Sequence, residues 1–424
     1  MTASVIAQQE AQGARFEAIA AAERAISQAF AARAELVDEA RRFSAANAAT
    51  SAREPGSRWD ASTIAQREFV SELACTIRVP QRTAENLIAE SRALAEKLPA
   101  TREALQNGEI SYRQAQALIE QAWTVPDDAK AAFEEALLPA AANLTASKLK
   151  YKARLLRERL HPETITARHQ TSVGDRTVFF EPEADGMASL TWYDAADTVQ
   201  AAYVRATDLA LSLQGPTEPR TLAQLRADAL ADLLIDGVTP AGLGEGVRAS
   251  VNVTVPVLTL LGHSEEPAHL EGYGPIDPDT ARRLAAKAPS FTRLLTHPET
   301  GVVLSVGRDS YKVPKALKRW LRIRDETCRF PGCNRAARRC DLDHSLDWQF
   351  DGRTEHDNLA HLCPGDHALK SETGWTLEHV GDGSLRWTSP TGRPFTTEPA
   401  NRISPMPALP PALASELVPE PPPF

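Results

Sequence analysis

Four of the chain's five cysteines fall between Cys328 and Trp375, interleaved with Asp343-His344, Asn358 and His367. Cys328 and Cys333 flank Pro331-Gly332, a knuckle that lets two thiolates face one ion. Thirty residues later comes Cys363, with Asp366 three positions beyond it. A tetrahedral zinc site needs four ligands, mostly Cys and His. Cys328, Cys333 and Cys363 supply three. The fourth is either Asp366, which has the ligand spacing, or Cys340, which is the softer donor. The expectation is a structural Zn2+ held by two separated ligand groups.

A closed zinc staple carries out no reaction by itself. Chemistry falls to Asp343, His344, Asn358 and His367, whose types suit phosphodiester hydrolysis. A neutral imidazole at physiological pH is the natural general base. A divalent ion is needed to neutralise charge on the phosphate and the leaving 3′ oxygen. His344 fits the base, and Asp343 beside it fits a hard cation, Mg2+ or Mn2+, with His367 completing the protein ligands. Cys363, His367 four residues on and Lys370 three further share one helix face. Asp351-Gly352 supplies a turn between His344 and Asn358. The predicted geometry is strand, turn, strand, helix, with the metal between hairpin and helix. His361, in the same stretch, reads as a surface residue.

The surrounding charge fits a phosphate-bearing partner. From Arg308 to Asp343, eleven Lys/Arg face five acids, a local balance of +6. Lys315, Lys318, Arg319, Arg322, Arg335, Arg338 and Arg339, together with Lys370, are the expected grip on DNA phosphates. The whole chain carries a net charge of −9, which argues against coating nucleic acid over its entire surface.

The elements that must position these residues belong to a long chain. At 424 residues it exceeds what one core supports. Apolar residues at 42% suit a soluble globular protein. Met1 to Gly13 lacks a secretion-signal pattern, and no apolar run is long enough to span a bilayer, so no membrane partner is expected. Clustered, odd-numbered cysteines favour metal binding in a reducing cytoplasm over a disulfide framework. Cys75, alone in a helical pattern, reads as a small buried apolar residue.

Phe16, Ile19, Ile26, Phe30 and Val37 recur at helical spacing and predict one helix with its stripe in the core. Ser44 to Arg58 reads as a loop and Thr63 to Lys97 as helical. Pro99 starts a short helix that Asn107-Gly108 ends, and Ser111 with Gln114 opens the next as a capping box. Helices continue to about Leu160, and their Ala-rich stripes leave room for self-association. Arg176–Glu181 and Met187–Trp192 flank Asp185-Gly186 as a hairpin. Asp194–Leu213 and Thr221–Ile235 are helical, Val251–Leu261 a strand, Gly272–Pro275 a turn, Asp279–Ala288 a helix and Gly301–Val306 a strand. No phosphate loop, dinucleotide fingerprint or nucleophile elbow occurs in these first 300 residues. Gly381–Thr397 reads as a hairpin and Asn401–Phe424 as a Pro/Ala-rich disordered tail. The expected fold class is α+β. A mostly helical domain with a small sheet covers 14–306, the chemical module 307–376, a hairpin extension 377–400 and the tail 401–424.

The series Asp343-His344, Asn358, His367 resembles the HNH endonuclease family in order and spacing. Arg324-Asp-x-x-Cys-Arg-Phe-Pro-Gly-Cys333, Cys340-Asp-Leu-Asp-His344 and Asn358-Leu-Ala-His-Leu-Cys363 narrow the resemblance. They look like actinobacterial HNH proteins with a long N-terminal domain of unknown function, among them the thirteen-E-twelve repeat proteins of mycobacteria. Leu98-Pro99, Asp185-Gly-Met187, Glu271-Gly-Tyr-Gly-Pro275 and His297-Pro-Glu-Thr-Gly301 are similar to landmarks of that N-terminal region. The resemblance implies a zinc-stapled ββα-metal module gripping one catalytic divalent ion. It implies His344 as general base, Asp343 and His367 as metal ligands, and Asn358 as a brace of the hairpin loop. Metal-dependent cleavage of DNA is the leading expectation. A non-catalytic zinc module that binds nucleic acid is the second, and a helical interaction scaffold the third.

Overall fold

The structure, a computed structural model, describes residues 3–50, 58–161, 165–235, 253–270, 273–286, 305–307 and 313–400. Ala-rich sequence favours helix, and the N-terminal part consists of α1 (Ala3–Ala46), α2 (Ala61–Ile77), α3 (Gln81–Glu96), α4 (Pro99–Gln106), α5 (Tyr112–Ala122), α6 (Lys130–Ala141) and α7 (Ala146–Leu160). Several starts have a visible local cause. Asp60 accepts from Thr63 N at 2.7 Å ahead of α2, and Pro99 occupies the first turn of α4, where its missing N–H costs no helical bond. Ser111 and Gln114 close the expected capping box on α5. The stretch expected as helical over Thr63–Lys97 is divided, because Arg78 turns left-handed at φ 57° and Pro80 cannot continue a helical ladder.

Leu94, Leu105, Leu118, Phe133, Leu137 and Leu149 fill the core of these helices. From α1 come Ala31 and Ala34, with Val37 also buried. Phe16, Ile19 and Ile26 are 60%, 58% and 47% exposed, so the expected core stripe holds only in the C-terminal half of α1. The cause is length. With 44 residues, α1 is more than twice as long as α2 or α3, which pack on it.

Contacts divide the chain into two compact units, Met1–Pro162 with Arg293–Phe424, and Glu163–Thr292. The second unit contains α8 (Ile165–Gly174), β1 (Thr177–Pro182), β2 (Ala188–Tyr193), α9 (Ala196–Leu213), α10 (Leu222–Ile235), β3 (Val253–Thr254), α11 (Val257–Leu260), β4 (Ala268–Leu270), β5 (Gly274–Ile276) and α12 (Pro278–Ala286). β1 and β2 pair antiparallel around Asp185-Gly186, which both take positive φ, as a tight hairpin turn requires. Among the described residues, the strand expected over Val251–Leu261 is realised only as β3. Pro256 cannot donate to a ladder, and its carbonyl instead accepts from Leu260 N to start α11. Residues 251–252 and 287–304 lie outside those described, as do Arg308, Lys312 and the tail 401–424.

The remainder of the first unit contains β6 (Ser305–Gly307), α13 (Lys315–Asp325), β7 (Asp341–His344), β8 (Thr354–Glu355), β9 (Leu359–Leu362), α14 (Pro364–Glu372), β10 (Thr376–His379), β11 (Leu385–Thr388) and β12 (Pro394–Thr397). β7 pairs antiparallel with β9, setting Asp343 opposite Ala360 and His344 opposite Leu359. Below them Phe330, Trp375 and Trp387 meet edge to face with centroids 5.0 to 6.4 Å apart, a geometry their ring quadrupoles favour. The hairpin expected over Gly381–Thr397 is present as β11–β12, and β10, from before that range, pairs with β11 to make a three-stranded meander. The described chain is thus mostly helical with small antiparallel sheets. No helix among the described residues is long and apolar enough to cross a membrane.

Candidate functional site

Two clusters lie on the β7–β9–α14 corner. In the first, the ligand atoms of Cys328, Cys333, Cys363 and Asp366 lie within 4.8 Å of one another, a spacing that could hold one metal ion. Cys328 precedes the knuckle at Gly332, whose φ is +76°. Cys363 caps the start of α14, bringing Asp366 into its first turn. Asp366 Oδ2 sits 3.2 Å from Cys328 Sγ and 3.1 Å from Cys363 Sγ. The Cys363 backbone N–H donates to Cys328 Sγ at 3.2 Å. Of the two expected fourth ligands, Asp366 is the one in the cluster. Cys340 packs beside it, with its thiol directed at the carbonyls of Arg335 and Ala336. Burial and the neighbouring Cys363 push the Asp366 carboxyl up to about 6. A buried carboxylate among thiols is costly unless paired or bound to metal, so the donor set fits an ion.

One member of this cluster's surroundings was illegible in the sequence. Gln81, on α3 and 285 positions away, donates from Nε2 to Asp366 Oδ1 at 2.8 Å. This bond leaves Oδ2 facing the thiols.

The second cluster holds the residues expected to do chemistry. Asp343 and His344 are adjacent on β7 and 8% and 5% exposed. His367 Nε2 on α14 is 3.4 Å from Asp343 Oδ1, and its Nδ1 is 3.7 Å from Asp341 Oδ2. Two ligands about 2.1 Å from one octahedral ion stand about 3 Å apart, so Asp343 and His367 fit a shared cation. Burial would raise the Asp343 carboxyl, but the His367 hydrogen bond and the Lys370 ammonium outweigh it and hold it below its ordinary value. The hydrogen bond to Asp343 raises His367 in turn. Desolvation lowers His344, more than Asp343 raises it, and so favours its neutral ring. His344 Nε2 lies 3.1 Å from Thr354 Oγ1 on β8. Asn358 ties the intervening loop together: its Oδ1 accepts from Leu346 N at 2.8 Å, and its Nδ2 donates to Leu346 O and Arg353 O at 3.0 and 2.9 Å.

The basic residues divide by location. Lys315, Lys318 and Arg319 are exposed and Arg322 half-buried, at i, i+3, i+4 and i+7 along one face of α13. Leu317 and Leu321 anchor the helix on Leu359. Arg335, Arg338 and Arg339 are exposed as well. Lys370 is only 11% exposed at its side chain and is engaged by Asp343 and Asp347. Arg324 and Arg329, counted in the basic run, are buried and both bond Asp325. His361, expected at the surface, is 1% exposed, with Nδ1 2.9 Å from Asp325. A surface assignment failed because that carboxylate lies 36 positions away in sequence.

Residues 30–325 match the family model described as Domain of unknown function (DUF222). Uncharacterized protein Rv3776 of Mycobacterium tuberculosis is 29% identical over 421 residues, covering 88% of this chain and 78% of that protein. Uncharacterized protein Rv2100 of the same organism is 33% identical over 236 residues, 44% of this chain and 42% of that protein. No solved structure matches the chain. With more than half of its length matched by one family model, the chain belongs to the DUF222 family.

Proposed function

We propose that the C-terminal part of the first unit is an HNH endonuclease module that hydrolyses DNA phosphodiester bonds. One observation carries the reading: Asp343 Oδ1 and His367 Nε2 converge to 3.4 Å beside His344, in the order of motif residues that resembles HNH enzymes. His344, whose neutral form burial favours and whose Nε2 faces the Thr354 hydroxyl, takes a proton from the attacking water. Asp343 and His367 hold the divalent ion, Mg2+ or Mn2+. When bound, that ion supplies charge neutralisation at the phosphate and the leaving 3′ oxygen. Asn358 keeps the loop between the strands closed, so that β7 presents Asp343 and His344 together. Cys328, Cys333, Cys363 and Asp366 hold a structural Zn2+, and Lys315, Lys318 and Arg319 contact phosphates from α13.

Plasmid nicking by the purified chain with Mg2+ or Mn2+, run beside His344→Ala, tests this reading. Nicking by the wild type that disappears in a folded mutant is the expected result. Equal nicking by both would sink the proposal. The near-complete burial of His344 favours a second reading, a non-catalytic zinc module that binds nucleic acid through α13. DNA binding unaffected by Asp343→Ala, with no nicking under either ion, would select it.

A further inference from the structure

Lys370 is an unusual neighbour for a carboxylate that is to hold a divalent ion. Its ammonium is 2.7 Å from Asp343 Oδ2 and 3.3 Å from Asp347 Oδ1, and it donates to the His344 carbonyl. Two carboxylates and a backbone carbonyl form an all-oxygen donor set, the kind that hard cations take. An ammonium is a compact point charge with three donors, and here all three have an acceptor. The side chain reaches this position because α14 packs on β7 and Lys370 follows His367 by one turn, on the same helix face. His367 and Lys370 therefore approach Asp343 through its two different oxygens, Oδ1 and Oδ2.

We propose that Lys370 is an internal cation that competes with the divalent ion for Asp343 and so sets how tightly that ion binds. The proposal rests on the reading of Asp343 and His367 as ion ligands. An incoming ion either shares the carboxylate with the ammonium, against like-charge repulsion, or displaces it and loses the three bonds. Both routes weaken ion binding, and both vanish when the ammonium is removed. Lys370 is thus a positioning residue acting through Asp343, and its effect is read in ion affinity.

The experiment is Mn2+ titration of the full chain, with free ion read by electron paramagnetic resonance. Lys370→Met is expected to bind Mn2+ about tenfold tighter or more, since a like charge at contact distance is removed from a partly desolvated site. Lys370→Arg keeps the charge and is expected to stay near the wild type. Adding Asp343→Asn to Lys370→Met should abolish the gain, which locates the ion. Lys370→Gln serves if the Met variant misfolds. Unchanged or weaker Mn2+ binding in folded Met and Gln variants overturns the proposal and leaves the nuclease reading standing. Tightened binding without DNA nicking by any variant supports the competition and removes the nuclease reading. Absence of Mn2+ binding by wild type and variants alike overturns both.

Discussion

Asp325 closes the last turn of α13 with no exposed side chain, and three partners converge on it. Oδ1 accepts from Arg324 Nε and Arg329 Nη1, both at 2.8 Å, and Oδ2 faces His361 Nδ1 and accepts from the His361 backbone N–H. Arg324 also bonds the carbonyls of His356 and Leu359, so one carboxylate ties α13 to β9. Truncating one partner of a buried ionic group leaves the others uncompensated. Asp325→Asn is therefore expected to cost about 3–5 kcal/mol in urea unfolding. Burial would raise this carboxyl, but His361, Arg324 and Arg329 hold it far below its ordinary value. A depressed folded-state pKa contributes stability above the unfolded value, about 3.9, and loses it as pH falls through the folded one. The wild type should thus lose stability more steeply than Asp325→Asn below about pH 4; parallel acid limbs would refute this account. Asn358 is the second residue whose loss is calculable. Asn358→Ala removes three loop bonds and should cost about 1–3 kcal/mol, with zinc content unchanged. A variant as stable as the wild type would contradict the bracing role.

Among the elements, the β7–β9 hairpin and α14 were legible because their signals are local: an Asp351-Gly352 turn between the strands and ligands four residues apart on the helix. Asp351 adopts φ 68° as the turn requires. Gly352 has a further reason to be glycine. An added Cβ would run into the Leu346 carbonyl and stand 2.8 Å from Asp347 O. Gly352→Ala should therefore open the loop that Asn358 closes, destabilising the protein by about 1–3 kcal/mol. Thermal unfolding at wild-type temperature would argue against that. The basic segment was legible by charge counting, but its arrangement as one face of α13 was not, nor was the buried role of Arg324 and Arg329, since charge counting cannot see which cations neutralise an interior acid. If Lys315, Lys318 and Arg319 touch phosphates, replacing one by Ala should reduce the slope of log K against log salt by about 0.9. A slope that does not change would remove that residue from the DNA contact. Other misreadings have physical causes too. α1 outruns its partners, so its periodicity continues where no described residue covers Phe16 and Ile19, and Pro256 ends a strand that apolar content alone had extended.

Across the first unit, sequence distance hides a junction between the helices and the C-terminal part. Gln81 on α3 bonds Asp366, and Cys75 on α2 packs in the core that contains Cys328 and Cys363. Glu68 accepts from the Gly374 N–H, and Glu72 accepts from Ser389 and Thr391. A Cβ on Gly332 would come within 3.1 Å of Val79 O, so the knuckle lies close against the α2–α3 link. Nothing in the local pattern of Gln81 marks it, because its partner is found only when the chain folds. If the cluster holds zinc as proposed, Gln81 supports the ligand Asp366 by turning one of its oxygens toward the thiols. Removal of such partners costs about 10–100-fold in metal affinity. Gln81→Leu, nearly isosteric and unable to donate, should therefore release zinc to a chelator at a concentration lower by that factor. Gln81→Glu puts a second carboxylate beside Asp366 and should be worse. The Leu substitution leaves Cys328, Cys333 and Cys363 in place, so a chelator midpoint equal to the wild type would mean that the helices do not steer the cluster. A lowered midpoint would make the helical region part of the metal centre's support, and residues 307–400 expressed alone should then bind zinc more weakly than the full chain.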